Sequence, residues 1–458
     1  MNKDFISQLT SFVSSPVGIV AIAIGLLMVF QANRSRQVGW LLFSLLCFAS
    51  SLSTFRSQWM KVPPALVFPL QQLRSVDRPL SIVLLVLLTI VALSVPMSWR
   101  QKTLPKPIDY LIAVQGAIIF KTYVYGSSEF AILSLLTFGA IIYTMKKALG
   151  NWLTNDENFY LAARSIAITG TIFIILNTYQ FILNRSAVTF ITNRFSGTTA
   201  NPQQAGILLA AVIPCLLFVI QQYGSWKFPK YCWTAILVAV IYFLALTGSR
   251  TGILMGGVSI LLFYRNNGST WFRIILFFGI AAAVVIPFLQ PENLSSSAIG
   301  IDTSVSDRFT STNNTREDVW SGMWNSFLEN MIFGAPLEAG GRMGYGENSW
   351  LAVASNLGLF GLIPMLLMGW ECINLLWQLY KLGERQSYYF FQCSTVISGL
   401  GSMLVGSFFE AFLLGNLTIS MLTFLVYLLM GGYLVEVDRF RTHYAREEAK
   451  FADSSGVY

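Results

Sequence analysis

Charge is scarce in this 458-residue chain: Asp, Glu, Lys and Arg together make up 11% of it, against about a quarter of an ordinary soluble domain. Beside 54% hydrophobic residues, that scarcity excludes a soluble globular or disordered chain. Histidine is nearly absent. The single one, His443, lies in the polar C-terminal tail, so a histidine-based metal centre and a Ser/His/Asp triad both lack their parts. The five cysteines, Cys47, Cys215, Cys232, Cys372 and Cys393, lie inside apolar runs without CxxC spacing and read as small core residues. Asp-x-Asp is missing too, and only Asp302 and Asp307 keep a magnesium site in view, so the expectation is no metal and no cofactor. Basic residues outnumber acidic ones, 30 to 22, for a net +8. In an apolar chain such residues set orientation and meet anionic headgroups of membrane lipid, so no nucleic acid partner is expected.

What is present is a succession of apolar runs. A membrane span needs about 20 apolar residues, and by that rule roughly 13 runs qualify, at 16–31, 38–55, 80–97, 108–124, 129–145, 160–183, 204–222, 231–248, 250–264, 272–289, 358–380, 388–413 and 417–435. Long alternating strands are absent, so the fold class expected is all-α, a polytopic membrane bundle of about 13 (12–14) helices. Taking every second connection together, the larger share of the Lys and Arg falls with Arg34, Arg36, Lys146, Lys147, Lys381, Arg385 and the tail, which the positive-inside rule makes cytoplasmic. The C-terminus then lies inside and the N-terminus outside. The tail from Arg441 to Tyr458 is polar and reads as frayed.

One connection differs from the rest. Residues 290–357 are rich in Ser, Thr, Asn and Gly and fall on the outer side. Trp320, Met323, Trp324, Phe327 and Leu328 recur there at helical spacing, and Trp350, Leu351 and Ala354 do so again, which predicts two short amphipathic helices in a structured extracytoplasmic loop. The chain divides accordingly into N-terminal spans (1–195), a central region holding the loop (196–380), and C-terminal spans with a cytoplasmic tail (381–458).

Three pieces could carry chemistry. In Thr247-Gly248-Ser249-Arg250-Thr251-Gly252 a very short hairpin sets Arg250 at a helix start, where its charge opposes the local dipole and calls for an anionic partner. Ser249 and Thr251 add hydroxyls. Arg316 opens the first loop helix, and Arg308 and Arg342 complete four arginines on the outer side; several guanidinium forks converging on one diphosphate would each supply about 1.5–3 kcal/mol. Third is Gly344-Tyr345-Gly346-Glu347-Asn348-Ser349-Trp350. Glu347 is placed either to cap the helix that follows or to act as a general base, a role that needs partial burial to strengthen an ordinary carboxylate. Asn348 stands beside it as a candidate substrate contact.

In this order and within an apolar frame, these pieces resemble the O-antigen ligase and O-antigen polymerase superfamily of bacterial envelope glycosyltransferases. The resemblance covers roughly residues 195 to 370: Asn201-Pro202-Gln203 leading into a span, Ser249-Arg250-Thr251-Gly252, Arg316 with Trp320 and Asn330-Met331-Ile332-Phe333-Gly334, then Glu347-Asn348 and the turn from Gly358 to Gly361. It implies transfer of a glycan from a polyprenyl-diphosphate-linked donor to an acceptor hydroxyl, at the periplasmic face of the bacterial cytoplasmic membrane. Arg250 and Arg316 match the family arginines that hold the diphosphate. The chain departs from the family pattern with Glu347 where ligases usually carry His, Gln203 for the second Asn, and Asn356 where an acid often precedes the Gly turn.

The mechanism expected on this basis is a single inverting displacement, Glu347 taking the acceptor's proton while Arg250 and Arg316 stabilise charge growing on the leaving diphosphate. Polymerisation of repeat units is the favoured outcome. Alternatives are a ligase acting on lipid A core or on protein, and a transporter or flippase of an anionic substrate. A transporter would need charges midway through its spans, whose interiors are almost free of them, Glu371 and Glu410 being the main exceptions.

Overall fold

The computed structural model of the chain describes residues 10, 14, 16–52, 65–95, 104–189, 194–199, 201–223, 227–266, 315–337 and 346–455. No strand forms among them. The helices are α1 (Pro16–Ala32), α2 (Arg36–Ser51), the short α3 (Leu70–Ser75), α4 (Asp77–Ser94), α5 (Lys106–Tyr125) and α6 (Ser128–Thr144), which runs on through a wider turn to Trp152. Next come α7 (Asp156–Leu183), the short α8 (Arg185–Val188), α9 (Pro202–Gln221), α10 (Phe228–Leu246) and α11 (Arg250–Phe263). After the described chain resumes at 315 they are α12 (Thr315–Glu329), α13 (Ser349–Arg385), α14 (Phe390–Ser407) and α15 (Ile419–Ser455).

Eight helices among the described residues are long and apolar enough to cross a membrane, fewer than the expected count of about 13. The difference has identifiable sources. Residues 16–31 and 250–264 give only the shorter apolar stretches Ile22–Ala32 and Arg250–Phe263. The segment 38–55 folds as α2, a 16-residue helix that at 1.5 Å per residue falls short of a hydrocarbon core. Residues 108–124 form α5, whose apolar run is interrupted by Asp109, Gln115 and Lys121. The expected span 272–289 lies outside the described residues.

Other boundaries move as well. The run 388–413 is helical only to Ser407, and its last residues form an irregular stretch that leads into α15. Of the loop 290–357, residues 290–314 and 338–345 lie outside the described residues. The first expected loop helix is α12. The second is not separate: residues 349–357 make the opening turns of α13, which breaks at Gly358 (φ 60, ψ −152) and continues as the next span. The tail, expected to fray, is helical as far as Ser455, where α15 ends.

α9 sits at the centre. Every residue from Ala205 to Ile220 is buried, as expected of a helix apolar on all faces, and it packs on α7, α10, α11, α14 and α15. Small residues let the neighbours close in: a Cβ at Gly399 of α14 would lie 2.2 Å from the ring of Tyr427 on α15, so that pair is in direct contact. α10 is peripheral, and Val238, Ile241 and Tyr242 face outward.

The polar contacts sort into two ends of the bundle. At one end, Arg36 donates to the Thr154 hydroxyl (2.9 Å), Arg385 pairs with Asp438 (2.9 Å), Tyr388 donates to Asp156 (2.9 Å) and Arg265 donates to the Ser394 hydroxyl (2.8 Å). At the other, Gln180 accepts from the backbone of Val67 (2.8 Å), the Phe195 amide donates to the Leu246 carbonyl (2.9 Å), and the start of α11 meets α12 and the stretch after α14. All the candidate site residues that are described belong to this second end.

Candidate functional site

Four pieces of chain meet here, and the local chemistry of each explains its place. α11 begins immediately after α10 because the Ser249 hydroxyl caps it, accepting from the Gly252 amide (3.1 Å). Gly252 lets this first turn approach α9: a Cβ there would stand 2.9 Å from the Cα of Gly206. Thr251 is thereby buried and aimed at the end of α14. Arg194, itself buried, ties the same turn down through an Nε hydrogen bond to the Thr247 carbonyl (2.7 Å).

α13 starts at Ser349, and its cap is Asn348, whose Oδ1 accepts from the amides of Trp350 (2.8 Å) and Leu351 (3.0 Å). Glu347 is therefore not the cap; it stands just ahead of the capping residue, at the helix pole that favours negative charge. Behind it, the Trp350 indole donates to the Ser407 hydroxyl (2.9 Å) and stacks on Phe408 (ring centroids 5.2 Å apart). That stacking anchors the stretch after α14. Phe409 then lies under the Arg316 guanidinium (5.8 Å) and beside Trp320 (6.2 Å), and the next residue, Glu410, turns into the cluster. Ser349 fixes it there by donating to the Glu410 carbonyl (2.8 Å).

Arg316, from the first turn of α12, is the hub. Its Nη2 donates to Glu410 Oε1 (2.8 Å) and to the Thr251 hydroxyl (3.1 Å), while its Nε lies 3.7 Å from Glu347 Oε2. Thr251 completes a triangle by donating to Glu410 Oε1 (3.4 Å). Glu410 is 8% exposed. Burial pushes its carboxyl up to about 7 and the negative charge of Glu347 adds to the rise, against the opposing pull of Arg316, the Thr251 hydroxyl and Arg194. A carboxylate held near 7 is suited to accept a proton at neutral pH.

No family model matches this chain, and no curated protein sequence matches it.

The arrangement gathers some of the expected residues and reassigns others. Arg316 and Glu347 come together as the loop expectation required. Arg250 is half-buried at the first position of α11, next to Thr251 on the same turn. Ser249 and Asn348, expected to touch substrate, are buried with their side-chain oxygens engaged as helix caps. Arg308 and Arg342 lie outside the described residues. Among the described residues no group of three His, Cys, Asp or Glu side chains could hold a metal ion.

Sequence reasoning misses Glu410 and Lys121. Glu410 was assigned to the interior of a span because the apolar run 388–413 hides the helix end. A 26-residue run exceeds the length a span needs, and Gly415-Asn416 beyond it is a turn signal that could have exposed the boundary. Thr251, whose hydroxyl the hairpin motif offers beside that of Ser249, is brought to Glu410. Lys121 is buried within α5 and donates to the carbonyls of Phe333 (2.7 Å), Ala335 (2.6 Å) and Asn356 (2.6 Å), tethering the exit of α12 and the kink of α13 to the bundle. A lysine inside an otherwise apolar helix was its signal.

Proposed function

We propose that this chain is a membrane glycosyltransferase that moves a glycan from a polyprenyl-diphosphate-linked donor to an acceptor sugar hydroxyl, polymerising repeat units of an envelope polysaccharide. The observation that carries the reading is the meeting of Arg316, Thr251, Glu347 and Glu410, from four distant stretches of sequence, at the bundle end opposite the one holding Arg36, Arg385 and Arg265. By the positive-inside rule that basic end is cytoplasmic, so the cluster faces the outside of the cytoplasmic membrane. On this reading the short apolar helices, α2, α5 and the segment 272–289 also cross, giving about 13 spans with the N-terminus outside.

In the reaction, Arg316 and Arg250 hold the donor's diphosphate, with Arg308 and Arg342 as further contacts. The acceptor hydroxyl attacks the anomeric carbon, its proton passes to a carboxylate of the cluster, and the bond to the diphosphate breaks with inversion. Preorganised guanidinium groups stabilise the charge that grows on the leaving oxygens.

Incubation of the purified chain with a polyprenyl-diphosphate oligosaccharide tests the reading. A ladder of lengthening lipid-linked glycans is expected. Transfer of a single glycan to a second lipid or to protein would make it a ligase, and donor that crosses liposomes without being consumed would make it a transporter.

A further inference from the structure

The geometry points to Glu410 as the proton acceptor of the transfer, released for that task when the donor's diphosphate takes its place on Arg316. The inference rests on the glycosyltransferase reading above.

Arg316 Nη2 serves Glu410 and Thr251 at 2.8 and 3.1 Å, and its Nε points towards Glu347. A diphosphate oxygen binding this guanidinium competes with a carboxylate oxygen for the same N–H groups. Of the two carboxylates, Glu410 is the one directly bonded, so it is the one displaced. The two also occupy opposite helix poles. Glu347 stands before the N-terminus of α13, which favours negative charge, whereas the amide of Glu410 still bonds the Gly406 carbonyl (3.0 Å) at the C-terminus of α14, whose carbonyls disfavour it. The charged and polar groups facing Glu410 are Arg316 from α12, Thr251 from α11, Glu347 and Ser349 at the start of α13, and Arg194 ahead of α9. Only Arg316 makes a direct ion pair with it among the described residues.

Displacement has two consequences. Glu410 loses its counter-ion while remaining buried, and so becomes a stronger base beside a newly bound donor. The acceptor O–H then breaks, its proton going to Glu410 Oε1. The hydroxyl oxygen bonds to the anomeric carbon as the bond from that carbon to the diphosphate oxygen breaks, leaving its electron pair on the diphosphate. Glu410 returns the proton to water as the polyprenyl diphosphate departs and Arg316 closes on the carboxylate again. Donor must bind before the base is available, so binding is ordered. Glu347 in this scheme positions Arg316.

The test uses the full chain in liposomes with a polyprenyl-diphosphate oligosaccharide as donor, and radiolabelled polyprenyl diphosphate as a separate binding probe. In the wild type, kcat/KM rises about tenfold per pH unit up to about 7, where the free enzyme's Glu410 titrates, and the corresponding limb of kcat lies at higher pH. The donor's diphosphate, esterified at both ends, does not ionise in that range. Glu410→Gln is expected to bind polyprenyl diphosphate as tightly as wild type or more so, to lose at least about 100-fold in kcat, and to lose the acid limb. Wild-type kcat in Glu410→Gln overturns the inference. So does a wild-type profile flat from about pH 5.5 to 8, which decides the matter even if the variant does not fold. A wild type that binds polyprenyl diphosphate but makes no glycan product overturns the glycosyltransferase reading itself, a result distinct from either of these.

Discussion

A guanidinium presents five N–H donors in one plane, and Arg316 uses two of its edges at once, Nη2 on Glu410 and Thr251 and Nε towards Glu347. An ammonium of equal charge gathers its three donors at one point and lacks the planar fork that reaches both sides of the cluster. Arg316→Lys is therefore expected to lower kcat/KM by more than tenfold while the protein stays folded, measured by glycan transfer alongside a thermal melt; retention of wild-type kcat/KM would show that charge alone suffices. Arg316→Ala is a harsher change. It leaves Glu410 buried without its counter-ion, and breaking a buried pair from one side costs about 3–5 kcal/mol. Because Glu410 takes up a proton as it loses Arg316, the melting loss in Arg316→Ala is expected to be smaller at pH 6 than at pH 8. At this scale the sequence named Arg316 and Glu347, since an arginine and an acid stand out in a polar loop. It placed Glu410 inside an apolar run, and the end of α14 at Ser407 is what lifts that residue into the cluster.

At the scale of elements, the exit of α12 and the break in α13 form a single unit. The Ala335 amide donates to the Ser355 carbonyl (2.7 Å) and the Leu359 amide to the Met331 carbonyl (2.7 Å), so two irregular segments satisfy each other's backbone. Gly334 (φ 73) and Gly358 (φ 60) make this possible: a Cβ at Gly334 would sit 2.3 Å from the backbone of Asn356, and one at Gly358 would sit 2.5 Å from that of Met331. Both φ values also belong to the region that side chains avoid. Gly358→Ala is thus expected to destabilise by about 1–3 kcal/mol from backbone strain alone, with the steric overlap in addition. The check is a thermal melt combined with protease sensitivity of the 330–337 stretch. Lys121 clamps the same unit, and Lys121→Met leaves three buried carbonyls without their charged donor. Hydrogen bonds to charged groups contribute about 1.5–3 kcal/mol each, not additively, so the unit is expected to come away from α5 and turnover to fall although Lys121 touches no reacting atom. Unchanged melting and turnover in Lys121→Met would contradict this role. The sequence showed Gly334, Gly358 and the loop helix as separate motifs; their pairing joins stretches well separated along the chain, Ala335 with Ser355 and Met331 with Leu359, for which local periodicity carries no record.

Across the whole molecule, the two ends differ in character. Arg36, Arg385, Arg265, Asp156 and Asp438 mark one, and the Arg316 cluster with the Lys121 clamp marks the other. Single cysteines introduced at Gln386 and at Phe412, in a background lacking the exposed Cys232, are expected to react from opposite sides of an intact membrane. A membrane-impermeant thiol reagent applied from outside should label the Phe412 position and spare the Gln386 position; the reverse pattern would turn the bundle over and place the cluster in the cytoplasm.

The sequence by itself determined that this is an apolar, all-helical chain, where most of its helices lie and which loop is unlike the others, because those properties follow from composition and from spacing within one element. It expected more long apolar helices than the described residues contain, because an apolar run fixes composition but not helix length or the polar residues that interrupt it: α2 stops at 16 residues, and α5 carries Asp109, Gln115 and Lys121. The tertiary structure alone decided which polar groups meet. Glu410, Thr251 and Lys121 acquire their roles from packing that joins the ends of helices distant in sequence, and burial, which changes the proton affinity of Glu410, is a property of the assembled bundle rather than of any segment of it.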